Sequence, residues 1–93
     1  MKNNLHDVIV DELLEKKSLA ALIYLIDSGR EVEFELNKKT YFISSSGSNK
    51  YVSLWNNQIE QSFDSISDLI EYSTIENQLF IYLWNEAEIT NIF

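Results

Sequence analysis

Glu31-Val32-Glu33-Phe34-Glu35-Leu36-Asn37-Lys38-Lys39-Thr40-Tyr41-Phe42-Ile43 is the stretch whose reading decides the fold. Its first six residues alternate strictly between acid and apolar side chains, the two-residue period of a strand with one buried face. Val32, Phe34 and Leu36 therefore point to the core, and Glu31, Glu33 and Glu35 form a row on the other face. Asn37-Lys38 then serves as a two-residue hairpin turn, because Asn accepts a positive φ more readily than most residues, although Lys stands where Gly is usual. This register sets Leu36 opposite Lys39, Phe34 opposite Tyr41 and Val32 opposite Ile43. It sends Phe42 outward beside Glu33, as a contact residue among carboxylates.

Upstream, Leu5, Val8, Ile9, Leu13 and Leu14 recur at helical spacing behind Asn4, a good N-cap, with Asp7, Asp11, Glu12 and Glu15 on the other positions. Ser18 caps a second helix, apolar nearly all round, that stops before Gly29. Whether residues 5–15 run on into 18–28 stays open at this level. Downstream, residues 51–55 read as a third strand after a loop at 44–49. Asn56-Asn57 reads as a turn into a fourth extended segment, 58–62. Ser65-Ile66-Ser67-Asp68 has capping-box spacing and starts a third helix that ends near Tyr72. A fourth short helix is expected over residues 76–84, and 87–93 is extended. The expected class is α+β: N-terminal helices, a three- to four-stranded antiparallel sheet, then two C-terminal helices, in one compact domain spanning 1–93. Helices grouped on one face leave the Glu31, Glu33, Glu35 face exposed.

The 93 residues carry 15 acids against 7 lysines and arginines, a net charge of −8. That charge is lopsided. From residue 51 onward seven carboxylates (Glu60, Asp64, Asp68, Glu71, Glu76, Glu86, Glu88) occur without one Lys, Arg or His. Nucleic acid is a poor direct ligand for such a chain, because binding it draws on cations to displace counterions, and anionic membranes are disfavoured for the same reason. No cysteine is present, which removes disulfides, thiolate catalysis and thiolate zinc sites. The longest apolar run is eight residues, 19–26, against the roughly 20 that a membrane span needs. A cytoplasmic protein of a bacterial host cell is expected.

The segments Gly29-Arg30-Glu31-Val32-Glu33-Phe34-Glu35, Asn37-Lys38-Lys39-Thr40-Tyr41, Phe63-Asp64-Ser65-Ile66 and Leu83-Trp84-Asn85 resemble a group of small uncharacterised proteins of Gram-positive bacteria and their phages. The resemblance covers about residues 19–89. It implies a helix, a three-stranded sheet and then helices, in a phage or mobile-element context. It carries no catalytic residues. This chain departs from the group in having Lys38 where a Gly is usual and in its additional helix at 5–15.

Two readings of the acidic excess stand side by side. In one, the charge only keeps a small protein in solution, and apolar surplus goes into a homodimer of a regulatory or housekeeping domain. In the other, Glu60, Asp64, Asp68, Glu71, Glu76, Glu86 and Glu88 imitate a phosphate array and occupy the basic groove of a nucleic-acid-binding effector, an inhibitor of immunity or anti-CRISPR type. Trp55, Phe42, Tyr72 and Tyr82 are then the aromatic anchors, competing with the core for the same side chains. Catalytic, metal and cofactor sites are not expected. His6 has no Ser or second His in any motif, two glycines cannot build a phosphate-cradling loop, and the Glu31, Glu33, Glu35 row lacks the oxygen-rich enclosure calcium needs. Arg30 is expected to close the preceding helix or to pair with a neighbouring Glu.

Overall fold

The computed structural model describes residues 4–46 and 51–93. Helix α1, Leu5–Lys16, starts where Asn4 accepts a hydrogen bond from the Asp7 N–H at 2.9 Å. It ends at Lys17, which adopts the left-handed conformation at φ 53°. That reversal separates α1 from α2, Leu19–Asp27, whose cap Ser18 accepts from the Ala21 N–H. Helix α2 closes on Gly29 at φ 89°, with the Gly29 N–H donating to the Ile26 carbonyl and the Arg30 N–H to Leu25. These two bonds form a Schellman termination, which favours Gly at the left-handed position.

The hairpin then forms as its alternation dictates. Strands β1, Val32–Leu36, and β2, Lys39–Ser45, pair antiparallel with Val32 opposite Ile43, Phe34 opposite Tyr41 and Leu36 opposite Lys39. Asn37 and Lys38 both take positive φ, 53° and 67°, as a type I′ turn requires. Strand β2 continues to Ser45, past the loop start expected at residue 44, and the rest of that loop falls mostly outside the described residues. Strands β3, Val52–Asn56, and β4, Ile59–Phe63, extend the sheet. Their turn sits one residue later than expected. Asn57, at φ 61°, takes the bend while Asn56 remains paired with Ile59.

Helix α3, Ile66–Tyr72, is capped by Ser65, whose hydroxyl accepts from the Asp68 N–H at 3.0 Å. The helix expected over 76–84 is corrected. A small hairpin of β5, Thr74–Ile75, and β6, Gln78–Leu79, occupies its first half, and α4 covers only Phe80–Leu83 before a 3-10 turn at Trp84–Glu86. Two tertiary contacts hold that hairpin open. The Gln61 amide donates to the Thr74 carbonyl at 2.7 Å and accepts from its N–H at 3.0 Å, and the Glu76 carboxylate is drawn to Lys39 and Asn37.

The sheet is also larger than expected, with five strands in the order β4-β3-β2-β1-β7. The additional strand β7, Glu88–Ile92, pairs antiparallel with β1 through a bulge beside Glu33 and Phe34. All four helices belong with the inner face, where Val32, Phe34, Ile43 and Leu54 meet Leu22, Leu25, Leu69 and Phe80. Phe34 is the hub: its ring stacks on Tyr41 at 5.4 Å and meets Phe80 and Trp84 edge-on. Helix α1 packs mainly on α2 and buries only Leu13 completely, so Leu5, Val8 and Leu14 of its apolar stripe stay exposed. Among the described residues, no helix is long and apolar enough to cross a membrane.

Candidate functional site: the outer face of the sheet

Strand alternation decides what the helix-free face presents. With Val32, Phe34, Tyr41, Ile43, Val52 and Leu54 turned into the core, the outward positions fall to Glu33 and Glu35 on β1, Thr40, Phe42 and Ser44 on β2, and Ser53 and Trp55 on β3. Glu60 and Ser62 of β4 and Glu88 and Asn91 of β7 complete the surface by register. No lysine or arginine occupies an outward strand position among the described residues.

One transverse row organises this face. Glu60 lies opposite Trp55, Trp55 opposite Phe42, Phe42 opposite Glu33, and Glu33 opposite Asn91. Two half-buried aromatic rings are thus bracketed by two carboxylates. Phe93 adds a third ring, 5.8 Å from Phe42. An open concavity of about 580 Å³ lies against Phe42 and Trp55, bordered by Lys39, Thr40, Asn56 and Asn57. The Lys39 ammonium itself pairs with Glu76 at 3.0 Å.

Both bracketing carboxylates are oriented by neighbouring side chains. Oε2 of Glu60 accepts from the hydroxyls of Ser53 and Ser62, the latter at 2.9 Å. Oε1 of Glu33 accepts from Thr90 Oγ1 at 2.9 Å and Asn91 Nδ2 at 2.6 Å. The bulge in β7 makes the second arrangement, because it lets Thr90 and Asn91 of one strand both address the same Glu.

The remaining residues singled out from sequence are distributed elsewhere, so the carboxylates after residue 50 do not form one array. Glu60 and Glu88 lie on the outer face. Asp68 and Glu71 belong to α3, on the opposite side of the sheet, and Asp64 lies just before that helix. Glu76 sits in the β5–β6 turn, held below its usual pKa first by the hydrogen bond from Lys39, then by that from Asn37 and by the lysine charge. Lys39 is raised by the same bond, and burial pushes the Tyr41 phenol up. Glu86 is in the 3-10 turn. Tyr72 and Tyr82 are exposed, but on the helical layer, away from Phe42 and Trp55. Glu31 precedes β1, and its carbonyl accepts from the Phe93 N–H at 2.7 Å.

Among the described residues Arg30 pairs with no Glu, contrary to one expected role. Its Nε donates to the Phe93 carbonyl at 2.6 Å and its Nη1 to His6 Nε2 at 2.9 Å, since a guanidinium can only donate. Sequence reading missed the orienting residues Ser53, Ser62, Thr90 and Asn91, and the ring of Phe93. The serines were within reach of the same period-two argument that turned Phe42 outward; the other three depended on where β7 docks. Among the described residues, no group of three or more His, Asp or Glu side chains is placed to hold a metal ion. No protein-family model matches the chain, and neither a curated protein nor a solved structure does.

Proposed function

We propose that this chain is a small acidic protein-binding inhibitor that uses the outer face of its sheet to occupy a basic, nucleic-acid-binding surface of a target protein. The observation that carries this reading is the conjunction of Phe42 and Trp55, half-buried on a helix-free face, with Glu33, Glu35, Glu60 and Glu88 around them and no cation at an outward strand position among the described residues. Rim charges steer a basic partner and raise the association rate, while a few central aromatic side chains supply most of the affinity. A purely solubilising surface has no need to group its aromatic rings. The partner is a protein and not nucleic acid or a membrane, for want of cations. The chain acts by stoichiometric occupancy, as immunity proteins and phage anti-defence proteins such as anti-CRISPRs do, and not as an enzyme.

The test is capture of a partner by immobilised protein, read against three controls. Retention should fall steeply between about 50 mM and 500 mM salt, as screening shortens the Debye length. Added duplex DNA or RNA should displace the captured protein, and Trp55→Ala should abolish capture without unfolding the chain. Capture that resists salt and nucleic acid alike would end this reading.

A second reading draws on β4, an edge strand whose Ile59 is 70% exposed. Unpaired edges invite pairing with another copy, and this chain would then be a self-associating regulatory domain. Its net charge of −8 opposes that association, so light scattering should show a dimer that strengthens with salt.

A further inference from the structure

Resting on the reading above, we infer that the outer face selects arginine over lysine, taking two guanidinium groups of the partner: one stacked on Trp55 and held by Glu60, the other over Phe42 and held by Glu33. The order across four adjacent strands is carboxylate, ring, ring, carboxylate. Neighbouring strands lie about 4.8 Å apart, so the two carboxylates bracket a row about 14 Å long. Each ring therefore has its own acid beside it, within the reach of one cross-strand pair.

The hydrogen bonding makes this more than a patch of negative charge. Ser53 and Ser62 hold Oε2 of Glu60, and Thr90 and Asn91 hold Oε1 of Glu33. The other oxygen of each carboxylate makes no hydrogen bond or ion pair among the described residues, and the orientation is set before a ligand arrives. A guanidinium matches this arrangement in two ways at once: its plane stacks on an aromatic face, and its edge presents paired N–H donors to a carboxylate. A lysine ammonium is compact and strongly hydrated, and it gains from the charge but little from the ring and the fixed oxygen. Lys39, at the border of the concavity, does not neutralise the row, because its ammonium is engaged by Glu76.

The experiment uses a capped peptide of four arginines alternating with glycines, and its lysine counterpart, titrated at low salt while the indole N–H signals are followed by NMR. Residues alternating on an extended peptide lie about 6.8 Å apart on one side, a spacing that lets two arginines reach the two rings. The arginine peptide should bind about three- to fivefold more tightly than the lysine peptide, the worth of an exposed cation–π contact. The Trp55 indole should shift, and that of Trp84, only 3% exposed, should not. Glu60→Gln and Glu33→Gln should each reduce the arginine preference, whereas Glu71→Gln, on the helical layer, should leave it intact. Trp55→Leu keeps an apolar side chain without a π face and should reduce the arginine preference, and Trp55→Leu combined with Phe42→Leu should bring the two peptides to equal affinity.

Equal binding of both peptides by the unaltered protein, weakened as much by Glu71→Gln as by Glu60→Gln, overturns the arginine selection while leaving a charge-driven basic partner in place. Failure of both peptides to bind at low salt removes the arginine selection together with the basic-partner reading.

Discussion

Glu35 and Glu88 face each other directly across the β1–β7 pair, and neither carboxylate has a hydrogen bond or ion pair among the described residues. Like charges in that position repel, and β7 is an edge strand, paired on one side only. Glu88→Lys should turn this repulsion into attraction and stabilise the fold by about 0.5–1 kcal/mol, raising Tm by about 2–8 °C. The gain should disappear in about 1 M salt. Thermal unfolding at two salt concentrations checks it, and an unchanged Tm at low salt would show that the two side chains splay apart.

Lys38 holds a left-handed backbone at φ 67° in the β1–β2 turn, where a Cβ is a burden. Lys38→Gly should stabilise the protein by about 0.5–1 kcal/mol, the relief of that strain exceeding the entropy that Gly adds to the unfolded chain. Asn37→Gly should do less, because Asn tolerates the conformation. Urea midpoints measured at constant m-value separate the two variants.

The Lys39–Glu76 pair ties the main hairpin to the β5–β6 turn at 3.0 Å. The Glu76 pKa is lowered, so its contribution is present above the ordinary carboxylate value and lost as the pH falls through the lowered one. Lys39 is raised, so the contribution is present below the ordinary lysine value and lost as the pH rises through the raised one. The stability difference between the wild-type protein and Glu76→Gln should be level between about pH 5 and pH 10 and close on both sides. Because both side chains reach solvent, the difference should be small and salt-sensitive. Denaturation curves taken across the pH range provide the check.

Phe34, fully buried, touches the rings of Tyr41, Phe80 and Trp84. Phe34→Ala leaves a cavity among three aromatic partners and should cost about 3–5 kcal/mol, a large share of what a domain this size has. Loss of near-ultraviolet circular dichroism would report it. By contrast, Phe42→Ala on the outer face should cost much less stability while weakening partner binding.

Much of the architecture was legible because its causes are local. The alternation of residues 31–36, the positive φ available to Asn37, and the caps Asn4, Ser18 and Ser65 each act within a few residues, so the β1–β2 register and three helices follow from chemistry between near neighbours. The helix expected from residue 76 failed for the opposite reason. Its apolar spacing was adequate, but Gln61 and Lys39, distant in sequence, secured better partners for Thr74 and Glu76 in a hairpin.

The candidate site divides along the same line. By itself the sequence determined that the chain from residue 51 onward is acidic without a Lys, Arg or His of its own, that Phe42 stands outward beside Glu33, and that the helices leave one sheet face open, since side-chain period and charge count require no knowledge of distant contacts. Only the tertiary structure decided which acids share a face with the aromatic rings, that β7 closes on β1, and that Thr90 and Asn91 steady Glu33 across 57 and 58 residues of chain. Pairings so remote carry a loop-closure cost that no local preference offsets, and they form only when the whole core is buried together.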